Sequence, residues 1–147
     1  MKLGLHPFFT LQIGEMSKTW KISNRTLSLT QPLVMGILNV TPDSFSDGGR
    51  FASIDAALRR VEEMVTEGVD IVDIGGESTR PGSARVPVDV ELERTAPVIE
   101  AICTRFPVPV SIDTSNTETA IAALDAGAGI INDISGLRFD ESLADLA

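Results

Sequence analysis

Four polar clusters interrupt this chain at places where a buried core would not choose them. The first is Asn39, Thr41, Asp43, Ser44, Ser46, Asp47 and Gly48-Gly49. The second begins at Asp73 and continues through Gly75, Gly76, Glu77, Ser78, Thr79, Arg80, Pro81 and Gly82. The third is Asp113-Thr114, and the fourth is Asn132-Asp133 followed by Ser135-Gly136. Carboxylates and amides on a rigid frame suit a heterocycle rich in N–H and C=O groups, because each offers one directional pairing. The glycine pairs bring backbone N–H groups, and Thr79 and Arg80 bring further donors, which together suit a phosphate or another oxyanion. Asn39 and Asp47 could share a magnesium ion with such an anion, since magnesium takes oxygen ligands and usually keeps phosphate partners. The single histidine, His6, lies in the leading segment, so a Ser-His-acid triad is excluded and any metal would use oxygen ligands.

Taken one at a time, these residues have plainer uses. Asn39 and Asp43 suit loop and turn capping, Asp113 and Asn132 suit helix or loop capping, and Asp73 suits a buried carboxylate paired to an N–H group. The glycine pairs suit ordinary turns, and Arg80 suits a surface ion pair. Cys103 falls on an apolar helix stripe and reads as core, Trp20 reads as packing for a flap, and Glu91, Glu93 and Glu100 read as a solvated helix face.

The clusters gain meaning from the elements that carry them. Residues 8–30 alternate apolar and polar side chains (Phe9, Leu11, Ile13; Trp20, Ile22; Leu27, Leu29), which predicts a short antiparallel flap closed by Gln31-Pro32. From residue 33 the rhythm becomes strand then helix: strands over 33–40, 69–74, 108–112 and 129–134, with helices over 54–67, 89–104 and 117–125, and a fourth helix starting at 141. Gly68 and Gly127 stand at helix ends, where a left-handed residue is wanted. Pro97 either kinks the second helix or marks its first turn. Apolar runs joined by helical crossovers predict a parallel sheet buried on both faces. In such a sheet every strand end lies on one rim, and that rim is where α/β proteins bind ligands.

Composition sets the outer limits. The chain has 147 residues with 21 acidic and 12 basic side chains, a formal charge of -9, which argues against a nucleic-acid surface. Residues 1–52 hold 5 basic and 3 acidic side chains, whereas residues 53–147 hold 7 and 18, so a small anion on the rim remains compatible with that charge. One cysteine excludes an internal disulfide and fits a reducing, cytoplasmic setting. No run approaches ~20 apolar residues, so no membrane partner is expected, and the start of the chain does not read as a signal peptide.

Residues 35–49, Met-Gly-Ile-Leu-Asn-Val-Thr-Pro-Asp-Ser-Phe-Ser-Asp-Gly-Gly, resemble the first signature of the dihydropteroate synthase family, the sulfonamide-inhibited enzymes of folate biosynthesis. Residues 73–82, Asp-Ile-Gly-Gly-Glu-Ser-Thr-Arg-Pro-Gly, resemble its second, and Ser111-Ile112-Asp113-Thr114 and Ile131-Asn132-Asp133-Ile134 resemble its next two strand ends. The resemblance implies condensation of 4-aminobenzoate with 6-hydroxymethyl-7,8-dihydropterin diphosphate, with magnesium helping the diphosphate to leave. It implies that Asp113 and Asn132 grip the pterin and that Asp113 stabilises a cation. It further implies that Asn39 holds diphosphate and magnesium, and that Asp47 and Arg80 close over the leaving group. Thr79 would stand beside both substrates, with Phe45 and Pro81 shaping the aminobenzoate pocket.

The implied fold is a TIM (β/α)8 barrel, which takes ~250 residues. The expectation is therefore one domain, 1–147, forming the N-terminal half of a pterin-binding barrel: 8–30 as the flap and 33–147 as units one to four. The family's C-terminal half carries a further pterin-binding carboxylate, a lysine and an Arg-x-His pair, none of which has a counterpart here. The isolated 147 residues are expected to be inactive, and the full-length protein to be a homodimer. Two alternatives stand beside this reading: a pterin-binding methyltransferase domain, and a catalytically inactive piece that binds only pterin or a partner chain.

Overall fold

The computed structural model describes residues 18–41, 49–77 and 86–146, the side chains of 49–52 apart. The flap is a two-stranded antiparallel hairpin, β1 (Thr19–Ile22) and β2 (Arg25–Ser28), paired Thr19 to Ser28 through Ile22 to Arg25. The part of the expected flap before residue 18 lies outside the described residues. Four strands follow, β3 (Met35–Asn39), β4 (Ile71–Gly75), β5 (Val110–Asp113) and β6 (Ile130–Asn132), alternating with helices α1 (Gly49–Glu67), α2 (Val88–Arg105) and α3 (Thr117–Asp125). They form one parallel sheet in the order β3-β4-β5-β6. This unbroken order, one helix per crossover, is that of successive barrel units.

The helices cover one face of the sheet. Leu38, Val72, Ile74, Val110 and Ile112 meet Ala57 and Val61 of α1, Val98, Ile99 and Ile102 of α2, and Ala123 of α3 in a single core. Cys103 packs partly buried against this core, and burial pushes its thiol above its ordinary pKa despite the nearby Arg25 guanidinium, so it belongs to packing as the sequence suggests.

The other face departs from expectation. Strand β4 is buried along its whole length, but Met35, Ile37 and Asn39 of β3 are exposed, with Ile37 at 64%. Among the described residues no second layer stands opposite this edge strand, so the apolar run at 33–40 is buried on one face only. One boundary moves, one open alternative is resolved and one helix changes type. Helix α1 begins at Gly49 rather than residue 54, Pro97 lies inside a continuous α2 rather than in its first turn, and Glu141–Leu146 forms a 3-10 helix.

The hairpin packs at the N-terminal ends of the strands. Ile22 is 4% exposed and a Cβ placed on Gly129 would lie 2.7 Å from it, while Arg25 donates to the Pro107 carbonyl at 2.6 Å. Trp20 was expected to pack the flap but stays 38% exposed, where it lines an open cleft of about 500 Å³ with Leu29, Leu33, Met35 and Ile71. The opposite rim is left to the polar strand ends.

Glycine 76 fixes how closely α2 approaches that rim. A Cβ at this position would stand 2.7 Å from Thr95 Cγ2 and 3.1 Å from Glu91 Cγ, and Arg94 donates to the Gly76 carbonyl at 3.0 Å. Gly76→Ala is therefore expected to destabilise the fold by about 1–3 kcal/mol through overpacking. A thermal melt reports it as a Tm lower by several degrees, and an unchanged Tm would show that α2 can move aside.

Candidate functional site

The strand register decides which side chains meet. Asn39 pairs with Gly75, Gly75 with Asp113, and Asp113 with Asn132, so four strand ends form one row across the sheet. Residues in register share a face, and the row two residues earlier on that face is Ile37, Asp73, Ser111 and Ile130. The face is the one the helices do not cover. Of the residues expected at the site, the structure brings together Asn39, Asp73, Asp113 and Asn132. Asp43, Phe45, Asp47, Thr79, Arg80 and Pro81 lie outside the described residues.

Gly75 makes room in the row. A Cβ there would stand 3.3 Å from Asn39 Oδ1 and 3.7 Å from Asp113 Oδ2, so the Asn39 amide and the Asp113 carboxylate lean over a position without a side chain. Gly75 lies in the strand and accepts from the Val40 N–H at 2.8 Å, and Gly49 is the first residue of α1. Both glycines were expected as loop donors to an anion. Gly75 instead acts by leaving space, because the ladder claims its backbone.

The backbone at Asp113 is held on both sides. Thr114 N–H donates to the Asn132 carbonyl at 3.0 Å, and Thr114 Oγ1 accepts from the Asn116 N–H at 3.1 Å. Asn116, not Asp113, occupies the N-cap of α3, whose Thr117 N–H donates to Asp140 at 2.9 Å. No described residue donates to the Asp113 carboxylate. Its pKa is pushed up to about 6, first by burial and then by the negative charges of Asp73, Glu91, Asp133 and Glu77. Among the described residues, the site thus holds a carboxylate whose pKa is raised by burial and by four neighbouring negative charges.

Asn132 is tied from below. Its Nδ2 donates to Asp73 Oδ2 at 3.0 Å, a bridge that crosses β5. Asp73 is 3% exposed, and its other oxygen, Oδ1, and the hydroxyl of its register partner Ser111 are buried without a hydrogen-bond partner. Asp133, expected on the rim beside Asn132, turns into its own loop and accepts from Ser135 N–H, Ser135 Oγ–H and Leu137 N–H at 2.7–2.9 Å. Burial pushes its pKa up, but those donors outweigh burial and hold it below the usual range.

Glu91 corrects the solvated helix face read from the sequence. It is 2% exposed, and Oε2 accepts from Asn116 Nδ2 at 2.7 Å and Thr119 Oγ1 at 3.0 Å. It therefore braces α2 against the start of α3, beneath Asp113. Glu93 and Glu100 are exposed as expected. A signal for Glu91 existed: it falls one turn before Thr95, on the stripe that α2 buries.

Among the described residues no group of three His, Cys, Asp or Glu could hold a metal ion. Asn39 supplies a single exposed amide oxygen at the rim, a hard donor of the kind magnesium accepts when a phosphate and water complete its shell. The fit is that of a metal carried largely by its anionic ligand.

Known proteins supply the context for this geometry. A family described as "Pterin binding enzyme" matches residues 35–147. A dihydropteroate synthase of Clostridium beijerinckii is 50% identical over 137 residues, covering 93% of this chain and 48% of that protein. One from Bacillus subtilis is 55% identical over 115 residues, covering 78% of this chain and 40% of its own length. Among solved structures, Xanthomonas albilineans dihydropteroate synthase with 4-aminobenzoic acid superposes with a TM-score of 0.80 at 48% identity, over 87% of this chain and 49% of that one. The chain thus spans about half the length of the relatives it matches.

The Asp113 electrostatics give a signed prediction. A carboxyl whose folded pKa is about 6, against about 3.9 unfolded, binds its proton more tightly in the fold, so stability declines as pH rises through that window and is level above it. Asp113→Asn removes the cost. Melts from pH 3.5 to 8 should show no gain at the acid end and a higher Tm for the variant above pH 6, whereas a gain independent of pH would refute the assignment.

Proposed function

The chain belongs to the pterin-binding enzyme family, and from that premise we propose that it is the N-terminal half of a dihydropteroate synthase. The reaction would join 4-aminobenzoate to 7,8-dihydropterin-6-ylmethyl diphosphate, yielding 7,8-dihydropteroate and diphosphate for folate biosynthesis. The observation that carries this reading is the row Asn39–Gly75–Asp113–Asn132, which sets two acceptors beside an amide at a parallel-sheet rim. Identity of 50% or more to named dihydropteroate synthases favours this activity over methyl transfer.

The division of labour follows from the chemistry of each group. Asp113 and Asn132 offer acceptors to the N–H edge of a pterin. When the C–O bond to diphosphate breaks, the bonding pair leaves with the diphosphate and positive charge spreads into the ring system. Asp113 faces that charge. Because Asp73, Glu91, Asp133 and Glu77 already load the site with negative potential, a cation relieves repulsion that the neutral ground state does not. The amine nitrogen of aminobenzoate then bonds to the methylene carbon and releases a proton. Magnesium, held by Asn39 with Asp47 and the diphosphate oxygens, would neutralise charge developing on the leaving group. Thr79 and Arg80 would bind the diphosphate, and Phe45 and Pro81 would shape the aminobenzoate pocket; these assignments rest on the sequence motifs. Homodimer formation and sulfonamide inhibition of the full-length protein rest on the family resemblance alone. No helix among the described residues is long and apolar enough to cross a membrane.

A diphosphate-release assay on the full-length polypeptide, with both substrates, tests the reading. Turnover is expected only when both are present, with a kcat roughly 10²-fold lower for Asp113→Ala, as for loss of a group that meets transition-state charge. Asn132→Ala should raise the pterin KM about tenfold, the scale of one lost hydrogen bond, and leave the aminobenzoate KM unchanged. Diphosphate release without aminobenzoate dependence, or none at all, would overturn it.

A further inference from the structure

In the function proposed above Asp73 contributes only its charge and touches no substrate, yet its placement is costly for a residue that merely fills space. It is 3% exposed on strand β4, one of its oxygens has no partner, and the adjacent Ser111 hydroxyl is likewise unpaired. An unpaired buried carboxylate oxygen costs more stability than an unpaired amide would, and an apolar side chain would carry no such cost. What Asp73 does make is one bond, from Asn132 Nδ2 to Asp73 Oδ2 at 3.0 Å, across the intervening strand. The small Ser111 side chain on β5 leaves room for that crossing.

A carboxylate only accepts, so it admits the Asn132 amide in a single orientation: Nδ2 toward Asp73, Oδ1 away from it. No described residue donates to Asn132 Oδ1, and that atom is left to the face it shares with its register partner Asp113. Both atoms offered there are then acceptors. With an asparagine at position 73, the amide pair would have two equivalent arrangements, one of which turns Nδ2 outward and sets a donor against the N–H edge of a ligand.

We propose that Asp73 is a positioning residue for pterin recognition, which fixes the polarity of the Asn132 amide so that position 132 accepts from the ring and does not donate to it. This rests on the pterin-binding function proposed above. It assigns the buried carboxylate to specificity at the expense of stability, and the two readouts therefore move apart on substitution.

The test measures 6-hydroxymethylpterin affinity by titration calorimetry, aminobenzoate KM, and Tm, on the full-length protein and on Asp73→Asn. The variant should bind the pterin about tenfold more weakly, the loss expected from spoiling one directed hydrogen bond. Its Tm should be unchanged or higher and its aminobenzoate KM unchanged. The exchange D73N/N132D restores a single polarity. An amide at position 73 then donates to a carboxylate at position 132, which presents its second oxygen outward. Pterin affinity should return to within about threefold of the original. Pterin binding by Asp73→Asn equal to that of the unsubstituted protein overturns the inference alone. So does a lowered Tm with both ligands weakened together, which is the mark of a structural role. Failure of the unsubstituted protein to bind the pterin overturns the proposed function and this inference with it.

Discussion

The register of four parallel strands is the constraint on which the rest of this structure depends. Because Asn39, Gly75, Asp113 and Asn132 fall on one row, a shift of one residue in any strand would send its polar end to the helix face and break the site. The register is pinned from the apolar side. Ile74 and Ile112 are fully buried with Leu38 in the core beneath the helices, and that packing cannot be kept if a strand slips. Chemistry on one face is thus positioned by hydrophobic burial on the other.

Between the two faces lies a small polar framework that sequence reasoning found only in part. Asp73 links β4 to β6 through Asn132, and Glu91 links α2 to α3 through Asn116 and Thr119. Arg94 ties the same helix to the Gly76 carbonyl, where the loop after β4 begins. These bonds reach the rim from beneath and leave the Asp113 carboxylate with no donor among the described residues. A carboxylate left without donors and surrounded by like charge is a poor structural group and a good counterion for a transient cation.

The order of strands and helices was legible in the sequence because each carries its own period and most helices end at a glycine, as Gly68 and Gly127 show. The motifs also placed Asn39, Asp113 and Asn132 on strand ends. What could not be read was whatever depends on neighbours distant in sequence. Glu91 looks like one of three surface carboxylates until α3 supplies Asn116 and Thr119. Gly75 looks like a loop donor until the ladder engages its backbone. The run at 33–40 looks buried on both faces, but burial needs a second layer, and none of the described residues provides one for Ile37. The hairpin was predictable; its seat at the end of the sheet opposite the site, against Gly129 and Pro107, was not.

The central claim is that the row of strand ends is a pterin seat whose acceptors face the ring. A crystal structure of the full-length protein with 6-hydroxymethylpterin tests it most directly. The ring is expected above Gly75 on the face the helices do not cover, with its N–H groups within hydrogen-bond distance of the Asp113 carboxylate and Asn132 Oδ1. A ring seated instead in the cleft of Trp20, Leu33 and Met35 at the hairpin end, or one that accepts from Asn132 Nδ2, would contradict it.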